Sequence, residues 1–176
     1  MSGWLRIVLA AQLAFFALWG GRLVASHRDG DVVWLATEPV DPRDLLGGNY
    51  VALRYPIGAP SVAGCATLVA EQPAVVYVQL APATNPTQTA DGPIALSEAI
   101  NCQLVPPSPA ADERWIAGNV VPSRPGQIRY GIERFYVGET NPLREARSGT
   151  VVAKVRINRE LEPRVLDLVR LPASAR

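Results

Sequence analysis

Proline sets the terms on which this chain can fold. All sixteen prolines fall at Pro39 or later, and 14 glycines add further breaks along the chain. Each proline removes a backbone donor and disrupts a helix interior. Beyond the N-terminus the chain therefore has room only for short elements separated by turns. The apolar residues fall into matching short runs at Val32–Thr37, Asn49–Tyr55, Ala74–Leu80, Trp115–Val121, Ile128–Val137, Thr150–Ile157 and Arg164–Leu171. These runs are β-branched and aromatic or alternate apolar with polar, the pattern of strands. About seven strands predict a mainly β domain, an antiparallel β-sandwich or small open barrel.

The connections are legible in outline. Two prolines and two aspartates expel 39–44 from any sheet, so residues 41–48 are expected to form the structured turn of a wide β-arch closed by Gly47 and Gly48. In the strand that follows, Tyr50, Ala52 and Arg54 share one face, while Val51, Leu53 and Tyr55 share the other. Ser61–Ala70 is either a short helix or a loop, and Ala81–Pro93 reads as an exposed loop. Ile94–Leu104 is a strand or a helical turn. Gly131 is expected as a bulge or close-packing point within one strand. Asn141 is placed to cap a short helix with Pro142 at its first position, and Asn158–Pro163 to close a hairpin.

The N-terminus obeys a different rule. Ile7–Gly21 is a run of fifteen uncharged residues, and Leu5–Ala25 extends it to 21 with Arg6 and Arg22 near the ends. As a helix the longer run spans roughly 31 Å, close to a hydrocarbon core of ~30 Å. Trp4 and Trp19 suit the headgroup zones. Residues 1–28 thus read as a single transmembrane anchor with a short connector, and 29–176 as the β-rich domain. A cleaved signal peptide ending near Ser26 is the competing reading.

Net charge is +1, from 17 basic and 16 acidic residues, so no strong field points to nucleic acid. Cys65 and Cys102 form an even pair without metal-type or CxxC spacing. They are either two unrelated small buried residues or, in an oxidising compartment, one disulfide contributing about 4 kcal/mol.

Residues Pro39-Val40-Asp41-Pro42-Arg43-Asp44 followed by Gly48-Asn49-Tyr50-Val51-Ala52-Leu53-Arg54-Tyr55 resemble the signature of the GDYXXLXY family of bacterial membrane-anchored proteins. Gly48, Tyr50, Leu53 and Tyr55 fit the octapeptide, and Asn49 stands where the family name has Asp. A second block, Tyr130–Val137 with Glu139 and Glu145-Ala146, is similar to the family's C-terminal pattern. The resemblance implies a bacterial inner-membrane protein whose domain faces the periplasm. It also implies a neighbouring polytopic membrane protein as partner. It implies no settled activity.

Residue types narrow the chemistry. The one histidine, His27, precedes the domain, which argues against a Ser–His–Asp or Cys–His set and against a histidine-containing zinc site. A Ser–Lys dyad has only Lys154 available, on the polar side of an alternating strand. No metal or cofactor is expected. Paired carboxylates at Asp41, Asp44 and Glu133 are the remaining route to acid–base work, although Arg43, Arg54 or Arg134 can instead pair with them to hold the arch.

The candidate motif and binding residues are therefore Asp41, Pro42, Arg43, Asp44, Gly48, Asn49, Tyr50, Leu53, Tyr55, Gly131, Glu133, Arg134 and Tyr136. Three functions fit them. The first is a non-enzymatic accessory subunit of a polytopic membrane protein. The others are an envelope hydrolase built on the three carboxylates and a ligand-sensing domain lined by Tyr and Arg.

Overall fold

A computed structural model describes residues 3–39, 50–62, 64–108, 112–124, 126–138 and 141–172. Its contacts divide the chain into two compact units, Met1–Gly30 and Asp31–Arg176. The first holds the helix α1 (Gly3–Arg28), in which Trp4, Leu9, Leu13, Phe16 and Leu18 are exposed. Its 26 residues run roughly 39 Å, and Gly3–Arg22 is long and apolar enough to cross a membrane. A signal sequence near the N-terminus can also be this long and apolar.

The second unit is mainly β, and among the described residues every strand pair is antiparallel. In chain order it contains β1 (Asp31–Ala36), β2 (Tyr50–Ala52), a 3-10 turn at Pro56–Gly58, α2 (Cys65–Ala70), β3 (Val75–Pro82), β4 (Thr87–Thr89), β5 (Gly92–Ile94), β6 (Ser97–Gln103) and β7 (Arg114–Val120). Then follow β8 (Ile128–Arg129), β9 (Arg134–Tyr136), a second 3-10 turn at Pro142–Glu145, β10 (Val151–Ile157) and β11 (Pro163–Arg170). They form a three-stranded sheet β1-β10-β11, a four-stranded sheet β6-β3-β7-β8, and the ribbons β2-β9 and β4-β5. No closed barrel forms among the described residues.

Alternation drives the packing. In the first sheet Val33 pairs with Val155 and Leu35 with Ala153, so Val33, Leu35, Val151, Ala153, Val155 and Ile157 present one apolar face. Val76, Val78 and Leu80 of β3 do the same in the second sheet, with Ile116 opposite Val78. Both faces, together with Val51, Leu53, Tyr55 and Ile57, enter one continuous core. The turn between β10 and β11 is also tied to the second sheet, because Ala117 N–H donates to the Leu161 carbonyl at 2.8 Å.

Three expectations change. Ile128–Val137 is not one strand: at Gly131, with φ of +78°, the chain leaves the four-stranded sheet, and it re-enters as β9 of the ribbon. That left-handed conformation favours glycine. The predicted loop at 81–93 is partly ordered, since β4 and β5 close a hairpin in which the Thr89 hydroxyl donates to the Gly92 carbonyl at 2.7 Å and accepts from Asp91 N–H at 3.3 Å. Polar composition concealed a turn whose Gly92 sits at φ +116°. The 61–70 helix shrinks to Cys65–Ala70 behind Gly64 at φ +89°. The Asn141 cap forms as expected, accepting from Leu143 N–H at 2.8 Å with Pro142 next in line. The predicted arch turn at 41–48 lies outside the described residues.

Candidate functional site

The two motif blocks, more than 70 residues apart in sequence, meet in space through a buried clamp. Leu53 N–H donates to the Glu133 carbonyl at 2.8 Å, joining the end of β2 to the start of β9. The Tyr55 hydroxyl donates to the Ile132 carbonyl at 3.0 Å. Reciprocally, the Tyr130 hydroxyl donates to the Ile57 carbonyl at 2.6 Å. Tyr55 thus bonds the backbone of the second block, and Tyr130 the backbone of the turn that directly follows the first. The Glu133 carboxylate turns back to accept Tyr130 N–H at 2.6 Å, which fixes the Gly131 turn. Tyr55 and Tyr130 are 4% and 5% exposed. Burial pushes both phenols well above the ordinary tyrosine range, and the adjacent Glu133 carboxylate adds in the same direction.

Gly118 of β7 makes room for this clamp. A Cβ there would lie 2.3 Å from Ile128 Cγ2 and 2.8 Å from Tyr130 Cε1. A further set of bonds holds the other side of the motif strand. Glu38 and Arg54 form an antiparallel bridge, Arg54 N–H donates to the buried Ser148 hydroxyl at 3.1 Å, and Gly149 N–H donates to the Thr37 hydroxyl at 2.8 Å. Gly149, at φ +88°, also lets Pro39 approach to within 2.8 Å of where a Cβ would sit.

The β2-β9 ribbon that this framework supports has two unlike faces. Val51 pairs with Phe135 toward the core. Tyr50 pairs with Tyr136, and Ala52 with Arg134, on the opposite face. The two tyrosine rings lie 5.9 Å apart, and the Arg134 guanidinium sits 5.2 Å from the centre of the Tyr50 ring. Tyr136 is 71% exposed. Exposed, rigid aromatic and Arg side chains of this kind are enriched where one protein grips another.

The candidate residues thus separate by role. Leu53, Tyr55, Gly131 and Glu133 build the clamp, while Tyr50, Arg134 and Tyr136 form the outward face. Asp41, Pro42, Arg43, Asp44, Gly48 and Asn49 lie outside the described residues. Sequence reasoning left out Gly118, Ser148 and Thr37. A glycine inside a strand is itself a signal of close approach, but nothing near Ser148 or Thr37 marks their bonds. Lys154 lies 5.4 Å from the centre of the Trp34 ring, in a cation–π contact across β1 and β10.

Cys65 and Cys102 are joined by a disulfide with a Cα–Cα distance of 5.2 Å, which ties α2 to β6. Among the described residues no three His, Cys, Asp or Glu side chains come together as a metal site.

No curated protein and no solved structure shows significant similarity to this chain. The model of the GDYXXLXY protein, by contrast, matches residues 12–163, a span that includes both blocks of the clamp. The chain belongs to the GDYXXLXY family.

Proposed function

We propose that this chain is a single-pass, membrane-anchored accessory subunit that binds a polytopic membrane protein and has no catalytic role. In this reading α1 stays in a bacterial inner membrane and the β domain faces the periplasm. One observation carries it. The polar groups of the buried motif residues are engaged inside the domain, whereas the motif side chains on the outward face are Tyr50, Arg134 and Tyr136. A motif that serves to hold a rigid ribbon and present aromatic and Arg groups suits recognition better than bond cleavage. The disulfide supports an oxidising location. The hydrolase reading is less favoured, because the Glu133 carboxylate already serves the Tyr130 amide.

The test is affinity capture of the full chain, tagged at its C-terminus, from solubilised membranes. A stoichiometric polytopic protein is expected. Tyr136→Ala should reduce its recovery by roughly tenfold or more, the loss of an interface hot spot, with unfolding unchanged. Absence of any polytopic protein above background would end the proposal.

A further inference from the structure

A groove of about 340 Å³ lies between β1, the turn after β2 and β6, and none of Tyr50, Arg134 and Tyr136 lines it. Its shape follows from which residues line it. Three consecutive residues of β6, Ser97 to Ala99, touch it together with Leu96 just before the strand, and so do the consecutive pair Leu35 and Ala36 of β1. Successive strand residues point to opposite faces, so a cavity touched by a consecutive run follows the edge of a strand. Both strands are edges: β6 is the end strand of the four-stranded sheet and β1 the end strand of the three-stranded one.

β6 pairs in step with β3 from Ser97 to Ala99 and again from Asn101 to Gln103. Its pairing with β3 steps from Asn101 to Ala99, leaving Ile100 as the extra residue of a bulge. Bulges end the pairing capacity of an edge. The stretch beside the groove, Ser97 to Ala99, lies on the N-terminal side of that bulge, on the outer strand of its sheet. Leu35, Ile57 and Leu96 give the groove an apolar floor, and Pro56 and Pro60 stiffen its third wall. The charged lining residues are Glu38 and Glu98, both exposed, and among the described residues none that lines it is basic.

We propose that this groove binds an extended polypeptide segment carrying Lys or Arg beside an apolar residue. The segment adds as a short strand along the edge of β6, its apolar side chain rests on the Leu35–Ile57–Leu96 floor, and its cation lies beside Glu38 and Glu98. Backbone pairing supplies affinity and the side-chain contacts supply selectivity, as in other strand-addition complexes. The carboxylates favour a basic partner and speed its approach at low salt. This site is independent of the ribbon face, and its outcome does not depend on that reading.

The probe is the peptide Val-Lys-Val-Lys-Val-amide carrying fluorescein on its N-terminus through a glycine spacer, titrated by anisotropy into the full chain in a non-ionic detergent. Three companion probes are the Glu-for-Lys twin, a backbone N-methylated version and a fluorescein-labelled butylamine that keeps a free terminal amino group. The basic peptide is expected to bind about tenfold or more tighter than all three, and more weakly as salt rises. The double substitution Glu38→Gln with Glu98→Gln keeps the side-chain shape and should weaken binding by about tenfold, with the melting temperature unchanged. Equal binding to the double variant would overturn the proposal, as would no binding by the wild-type chain. Equal binding of butylamine would make the site one for amines and refute strand addition. Sedimentation that shows self-association lost in the double variant would make a second copy the occupant and equally refute it.

Discussion

The paired tyrosines predict a steep alkaline instability. An ordinary phenol titrates near pH ~10, and that is how Tyr55 and Tyr130 behave once the chain unfolds. In the folded domain burial, aided by Glu133, holds both neutral far beyond that point. Above pH ~10 the unfolded state therefore binds fewer protons than the native one, and stability must fall as pH rises. The stabilisation from these raised pKa values is fully present below pH ~10 and is lost above it.

For one such tyrosine the loss is about 1.4 kcal/mol at pH 11 and approaches about 1.4 kcal/mol for each further pH unit; for two it doubles to about 2.8 kcal/mol. Against a typical domain stability of about 5–15 kcal/mol that is a large fraction. Urea unfolding of the full chain in detergent, followed by tryptophan fluorescence from pH 8 to 11.5, measures it. Tyr55→Phe and Tyr130→Phe should each remove about half of the slope. Each should also cost about 1–3 kcal/mol at neutral pH by leaving the Ile132 or Ile57 carbonyl without its donor. Slopes that are unchanged in both variants would show that these phenols are not held neutral, and the buried clamp would have to be abandoned.

Further outcomes follow from the same packing. Gly118→Ala forces a methyl against Ile128 and a Tyr130 ring tethered at its hydroxyl and its amide, so denaturant melts should register a loss of about 1–3 kcal/mol or more. Replacing Cys65 and Cys102 by serine opens a loop with a sequence separation of 37 and should lower stability by about 4 kcal/mol, read from melts with and without reductant. If α1 is a retained anchor, the protein resists carbonate extraction and its intact mass includes residues 1–26; a mass beginning near His27 would establish a cleaved signal instead.

Much of this arrangement could be read from the residues in order. The alternation in 50–55 grouped Val51, Leu53 and Tyr55 on one face, and that face is the buried one; the Asn141-Pro142 pair announced its own helical turn. Those features depend on local periodicity and local hydrogen bonds. The clamp does not. Tyr55 and Tyr130 each read as one more aromatic on a strand, and only the sheet change at Gly131 brings each to the other's backbone. The β4-β5 hairpin was concealed because Pro86, Asp91, Gly92 and Pro93 surround a three-residue strand and read as loop, while its turn is closed by Thr89 bonding to Gly92 and Asp91. The groove was equally invisible, since it depends on which strands end each sheet.

The pairing of β1 with β10 dictates an order of events during biosynthesis. Asp31–Ala36 is made directly after the N-terminal helix, yet its ladder partner is Val151–Ile157, near the other end of the chain. Non-local pairing of this kind is slow and leaves early segments exposed. Whatever compartment receives the domain, its first strand emerges apolar and unpaired until almost the entire polypeptide has followed. The ladder of the strand that follows the N-terminal helix therefore cannot close until Val152–Ile157 have been made.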